Sequence, residues 1–174
     1  MRLFLSWKHI ISLCFVLLHL SLSIAHATVV PKQHRLLIIN SYNEGAPWSQ
    51  TLINPIMLQT SSIEDVCADL VHINGTFIRN DSLYNQMEEG IFQRYEKNKP
   101  DYLVLIGSIA FTLRDRIQKE WGDIPMVLIA NEDTYAPREY YFTGRSINMT
   151  DNKALPLNNL REQYNFTFIE APDM

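Results

Sequence analysis

Short apolar runs recur along the chain, each closed by turn-forming residues. Residues 35–40 (RLLIIN) form a continuous apolar stretch, the pattern of a strand buried on both faces. Pro47 follows at a plausible first helical position. Residues 48–60 place Leu52, Ile53, Ile56 and Met57 on one helical face, and Pro55 inside that run should kink or split the helix. A second strand is expected at 70–73, with Gly75 as a break or bulge. Asp81 reads as the N-cap of a helix over 82–98, whose Leu83, Met87, Ile91 and Tyr95 recur every four residues.

The clearest unit comes next. Residues 102–106 (YLVLI) read as a buried strand, and Gly107-Ser108 as a tight turn in which Ser108 caps a helix over 109–121. Gly122-Asp123 stops that helix before another buried strand at 124–130 (IPMVLIA). Strands alternating with helices at this spacing predict an α/β fold with a doubly wound, flavodoxin-like parallel sheet. After Asn131 the register changes. Residues 140–143 and 145–148 flank Gly144 and read as irregular strands or a lid. A short helix is expected within 153–163, and a strand at 165–169 (NFTFI).

The first 27 residues change the domain count. Arg2 and Lys8 precede an almost unbroken apolar run over 10–24, and Ala25-His26-Ala27 is a small-x-small cleavage site. The expectation is a secretory signal peptide over 1–27 and a single α/β lobe over 28–174 that is exported to the periplasm. The other reading of 1–27 is an uncleaved membrane anchor. Without Arg2 and Lys8, 13 basic residues face 19 acidic ones, a formal charge of −6. That balance speaks against nucleic acid and against an anionic membrane surface as partners. Beyond the leader only His34, His72 and Cys67 remain of the soft ligands, so neither a zinc site nor an internal disulfide is expected. Cys67, beside Val66 and Ala68, reads as a small core residue.

Ligands of open parallel sheets bind outside the carboxyl ends of the strands. Three such ends are polar: Asn40-Ser41-Tyr42-Asn43-Glu44, Gly107-Ser108, and Asn131-Glu132-Asp133. They offer hydroxyls, amides and carboxylates, with Tyr42 and Trp48 as stacking surfaces. The N-termini of the helices near Pro47 and Ile109 could hold an anionic group. The candidate ligand-binding residues are Ser41, Tyr42, Asn43, Trp48, Gly107, Ser108, Glu132 and Asp133. Several are equally ordinary turn and cap residues. Catalytic templates do not fit. The first corner has one glycine, so it is neither a dinucleotide fingerprint nor a phosphate loop, and no G-x-S-x-G elbow occurs. His34 precedes the first strand and His72 lies inside the second, so neither is placed to activate Ser41 or Ser108. No cofactor and no enzyme activity are expected.

The segments LLIINSYNEGAPWSQTLINPI, KPDYLVLIGSIAFTLRDRIQKEWGDIPMVLIANED and EYYFTGRSI resemble the periplasmic sensor region of hybrid two-component histidine kinases. That region is similar to the substrate-binding proteins of ABC transporters with the type I periplasmic-binding fold, in which two lobes close on a ligand. The resemblance covers about residues 35–169. It implies a first lobe whose cleft-facing residues are Ser41, Tyr42, Trp48, Gly107, Ser108, Glu132 and Asp133. It further implies a small-molecule ligand, a missing second lobe, and a membrane-anchored kinase in the parent protein. A homodimer is one arrangement open to a lone lobe. An ABC-transporter receptor is the alternative of the same class. A flavodoxin-like enzyme holding a phosphate at the first corner is the alternative of a different class.

Overall fold

In the computed structural model, residues 33–131, 134, 135, 138, 141 and 155–171 are described. β1 (His34–Asn40), β3 (Tyr102–Ile106) and β4 (Met126–Ala130) arise from the three continuous apolar runs, and their central residues are buried on both faces. β2 (Val66–His72) and β7 (Phe166–Glu170) flank them in the order β2-β1-β3-β4-β7, every neighbouring pair parallel. This is an α/β fold with a five-stranded parallel sheet, the doubly wound, flavodoxin-like order. β5 (Thr134–Tyr135) and β6 (Leu155–Pro156) form a separate two-residue antiparallel pair.

The register fixes which residues share a face. Leu36, Ile38 and Asn40 of β1 stand with Leu70 and His72 of β2 and with Val104 and Ile106 of β3. Helix α1 (Pro47–Ser61) covers that face with Ile53, Trp48, Leu52, Ile56 and Met57. The opposite face, with Leu37, Ile39, Leu103, Leu105 and Leu128, is covered by α2 (Asp81–Arg94), α3 (Ser108–Phe111), α4 (Arg114–Trp121) and α5 (Leu157–Arg161). Burying one such aliphatic side chain stabilises the fold by about 1.5–3 kcal/mol, so the two apolar layers dominate the stability.

Several local expectations are corrected. Helix α1 runs unbroken through Pro55. Proline removes the bond to the Thr51 carbonyl, but Thr51 and Pro55 are both exposed, so water can satisfy that oxygen. Asn80, not Asp81, caps α2: its Oδ1 accepts the Leu83 N–H at 2.9 Å, and α2 ends at Arg94 instead of residue 98. The expected helix over 109–121 is two pieces, α3 and α4. Between them Thr112 turns its Oγ1 back to the Ile109 carbonyl (2.6 Å) and meets the buried Tyr84 hydroxyl (2.8 Å). Cys67 is exposed, not in the core. It points to the α2 side of edge strand β2, but α2 ends at Arg94 beside Asp69, two residues further along. The expected features at 140–143 and 145–148 lie outside the described residues except for Tyr141.

Candidate functional site

In the order β2-β1-β3, the chain leaves β1 for β2 on one side and passes from β2 to β3 on the other. The carboxyl ends of β1 and β3 therefore form the topological switch point, where an open sheet leaves a crevice. Ser41 is the knot of that crevice. It is 5% exposed; its N–H donates to the Ile106 carbonyl (2.9 Å), its carbonyl accepts the Gly75 N–H (2.8 Å), and its Oγ accepts the Ala110 N–H (2.8 Å). One residue thus ties together the corners after β1, β2 and β3.

That last bond corrects the expected capping. Ser108 is the first residue of α3 and is not its cap; the Gly107 side of the turn supplies no side-chain acceptor. Ser41, from the neighbouring corner, takes that place. Of the two helix N-termini expected to hold an anion, the one near Ile109 is therefore already engaged by a hydroxyl. The other begins after Ala46 with no side-chain cap and with Pro47 in its first turn.

Gly107 lies at φ +82°, ψ 166°, a region that is essentially glycine-only. Space around it is as restrictive as its backbone. A Cβ there would meet Ser41 Oγ at 2.9 Å, Ser41 Cβ at 3.0 Å and Tyr42 Cε2 at 3.0 Å. The Tyr42 ring thus rests directly on the β3 corner. The ring also meets Trp48, which stands edge-on to it at 5.0 Å and 71°. Tyr42 is 38% exposed and Trp48 half-buried, so the pair presents aromatic surface at the rim while anchored below.

The structure brings together Ser41, Tyr42, Trp48, Gly107 and Ser108. Asn43 belongs to the same loop, exposed, with its carbonyl accepting the Ala46 N–H at 3.2 Å as an ordinary turn residue does. Glu132 and Asp133 follow β4 but lie outside the described residues. Four contributors are absent from the expected set. Asn40 and Ser49 are fully buried and bonded to one another beneath the loop (3.2 Å). His72 ends β2 beside Asn40 (2.9 Å), at the carboxyl edge and not mid-strand as expected. Phe77 is 66% exposed in the 3-10 turn Gly75–Phe77 that follows β2. Gly75 permits this turn to close on the site, because a side chain there would overlap Ile109 Cδ1 and press on the Ser41 carbonyl.

Among its described residues the corner carries little charge. α1 contains no charged residue, and the one acid of the loop, Glu44, is exposed. Charge gathers elsewhere, around a hollow of about 600 Å³ between α2 and α4 that includes Tyr84, Glu88, Arg116 and Arg138. Arg116 reaches Glu89 (2.8 Å), Glu120 (2.7 Å) and Glu88 (3.5 Å) and lies 4.4 Å over the Phe92 ring. Burial opposes its charge, yet the bonds to Glu120 and Glu89 outweigh that and hold its pKa above the usual guanidinium value. Burial likewise raises Tyr84 to about 12, against the lowering effect of the Thr112 hydrogen bond. These groups hold the helical layer together by mutual pairing.

No group of three or more His, Cys, Asp or Glu among the described residues could hold a metal ion. No helix among them is long and apolar enough to cross a membrane. Fold and corner together define a flavodoxin-like α/β unit whose described switch-point residues carry an aromatic rim and one exposed acid, Glu44. Comparisons of the chain with family models, curated proteins and solved structures return no match.

Proposed function

We propose that this chain is an extracytoplasmic small-molecule-binding module, the first lobe of the sensor region of a two-component histidine kinase, which recognises its ligand without transforming it. The observation that carries the reading is the meeting of Ser41, Tyr42 and Gly107 at the β1–β3 switch point, with Tyr42 and Trp48 forming an aromatic rim. Recognition needs a concave edge, a few polar groups and a stacking surface; a switch point is where an open sheet offers such an edge, the loop after β1 carries polar groups, and Tyr42 with Trp48 supplies the surface. Catalysis needs a positioned nucleophile and base. The Ser41 hydroxyl accepts a backbone N–H and His72 Nδ1 pairs with Asn40, so these two residues are not paired as nucleophile and base.

The described corner carries no basic side chain and one exposed acid, Glu44, which favours a neutral, hydroxyl-bearing ligand with one flat apolar face, such as a sugar, over a free anion. A transporter receptor would bind by the same chemistry and differ only in its partner; ligand-dependent phosphorylation of an attached kinase separates the two. The test is a thermal-shift screen of sugars, amino acids, inorganic anions and flavin mononucleotide. Stabilisation by a neutral compound, lost in Tyr42→Ala and Trp48→Ala, supports the reading. Stabilisation that survives both substitutions refutes it, and uptake of the flavin points to the enzyme class.

A further inference from the structure

The Asn40 side chain is the hub beneath the corner, and its partners fix its orientation. Its Oδ1 accepts the Tyr42 backbone N–H at 3.3 Å. A backbone N–H can only donate, so the oxygen lies on that side and Nδ2 lies on the other. Nδ2 meets Ser49 Oγ at 3.2 Å, the Tyr42 carbonyl at 3.4 Å and His72 Nδ1 at 2.9 Å. Ser49 gives its own proton to the Ala46 carbonyl (3.1 Å) and so accepts from Asn40. A ring nitrogen that faces an amide N–H at 2.9 Å must present a lone pair. His72 Nδ1 is therefore bare, and the proton of the neutral ring sits on Nε2.

We propose that His72 is a positioning residue of the crevice, and that its protonation at Nδ1 releases Tyr42 from the site. A proton taken up from water at Nδ1 turns the acceptor into a donor, and two donors then face each other. If the Asn40 amide turns to offer its oxygen, its NH2 group confronts the Tyr42 N–H instead. Either outcome breaks one bond of the corner, and the affected loop is the one whose aromatic ring lies on Gly107 and against Trp48. Asn40 is 0% exposed, so no water can take over the lost bond without the loop opening.

Among the described residues of the elements around His72, no charged side chain faces it. α1, packed on its face of the sheet, carries no charged side chain, and neither do Ile38, Ile39 and Asn40 of β1 or the turn Gly75–Phe77. Asp69 of the same strand points to the opposite face, where Arg94 (3.1 Å) and Tyr95 (2.5 Å) engage it. Glu44, in the loop above, is exposed. The only other histidine beyond residue 27 is His34, at the far end of β1.

The experiment reads the corner without any ligand, so it succeeds or fails independently of the binding proposal. Nitrogen-15 NMR of the protein is followed from pH 8 to pH 5, the interval in which imidazoles change charge. The expected result at pH 8 is the Nε2–H tautomer of His72. On acidification the Asn40 side-chain amide and the Tyr42 backbone amide should shift in step with the His72 ring. Tyr42 amide protection, corrected for intrinsic exchange, should fall about three- to tenfold. His72→Gln, which keeps an acceptor but does not titrate, should leave Tyr42 unchanged across this range. An Nδ1–H tautomer at pH 8 overturns the proposal. So does a Tyr42 amide that ignores His72, follows His34, or still titrates in His72→Gln. If that variant does not fold, the wild-type titration decides alone.

Discussion

Gly107→Ala tests the meeting of the two corners, and Gly122→Ala supplies its control. Both glycines hold positive φ, at 82° and 91°. A side chain at either position meets backbone strain of about 1–3 kcal/mol. Only their surroundings differ. At Gly122 a Cβ would find nothing within 4 Å, whereas at Gly107 it would strike Ser41 Oγ and Tyr42 Cε2 at 2.9 and 3.0 Å. If Ser41 swings away, the buried Ala110 N–H loses its acceptor, which costs roughly a further 1–3 kcal/mol. Gly107→Ala should therefore lose about 1–3 kcal/mol more than Gly122→Ala in urea unfolding. For a chain of this size that is on the order of 2–12 °C in melting temperature. A local signal should accompany it. The emission of Trp48 should change in Gly107→Ala, because its neighbour Tyr42 is displaced, and stay constant in Gly122→Ala. Equal losses with unaltered emission would refute the claim that the β1 and β3 corners touch.

Other consequences follow from single bonds. Ser41→Ala should cost about 1–3 kcal/mol by leaving the Ala110 N–H unsatisfied, and should raise exchange of that amide above its neighbours. Tyr84 is raised to about 12, chiefly by burial, so its neutral form is favoured in the folded state. Its stabilisation is complete below the ordinary tyrosine value near 10 and is lost as pH rises from there towards 12. Alkaline unfolding should show that decline, and Tyr84→Phe should flatten it while losing about 0.5–1.5 kcal/mol with the Thr112 bond. The Arg116 hydrogen bond, then that of Gln93, holds Glu89 below the usual carboxylate range. That contribution is present above the ordinary glutamate value and fades as acid protonates the group. In Arg116→Gln three carboxylates are left together, so stability should instead rise on mild acidification in a urea-against-pH series.

How far the sequence foretold this structure depends on where each element draws its stability. β1, β3 and β4 are buried on both faces, so their apolar runs announce them, and β3 begins and ends where expected. β2 is an edge strand of mixed residues, and only its pairing with β1 from His34↔Val66 onward shows its true length. At the break, Thr112 meets the Tyr84 hydroxyl, 28 residues away in sequence, a contact that no local periodicity can report. The capping of α3 by Ser41 bridges 69 residues. Local preference pointed to Ser108, but the fold places it at the first helical position after Gly107, and the Ser41 hydroxyl takes the cap's role. Asn40 and His72 stay outside the candidate binding set for a related reason. A polar residue closing an apolar run reads as a turn former, and only the parallel register reveals that the two close adjacent strands side by side.

The central claim is that a guest is recognised at the β1–β3 switch point and left chemically unchanged. It is tested most directly by titrating the best stabilising compound from the screen into nitrogen-15-labelled protein and recovering the compound afterwards. The expected result is that the amides of Ser41, Tyr42 and Gly107 and the indole of Trp48 move together, while the recovered compound is intact. Movement confined to Tyr84, Thr112 and Arg138 around the charged hollow, or a compound returned as product, would contradict it.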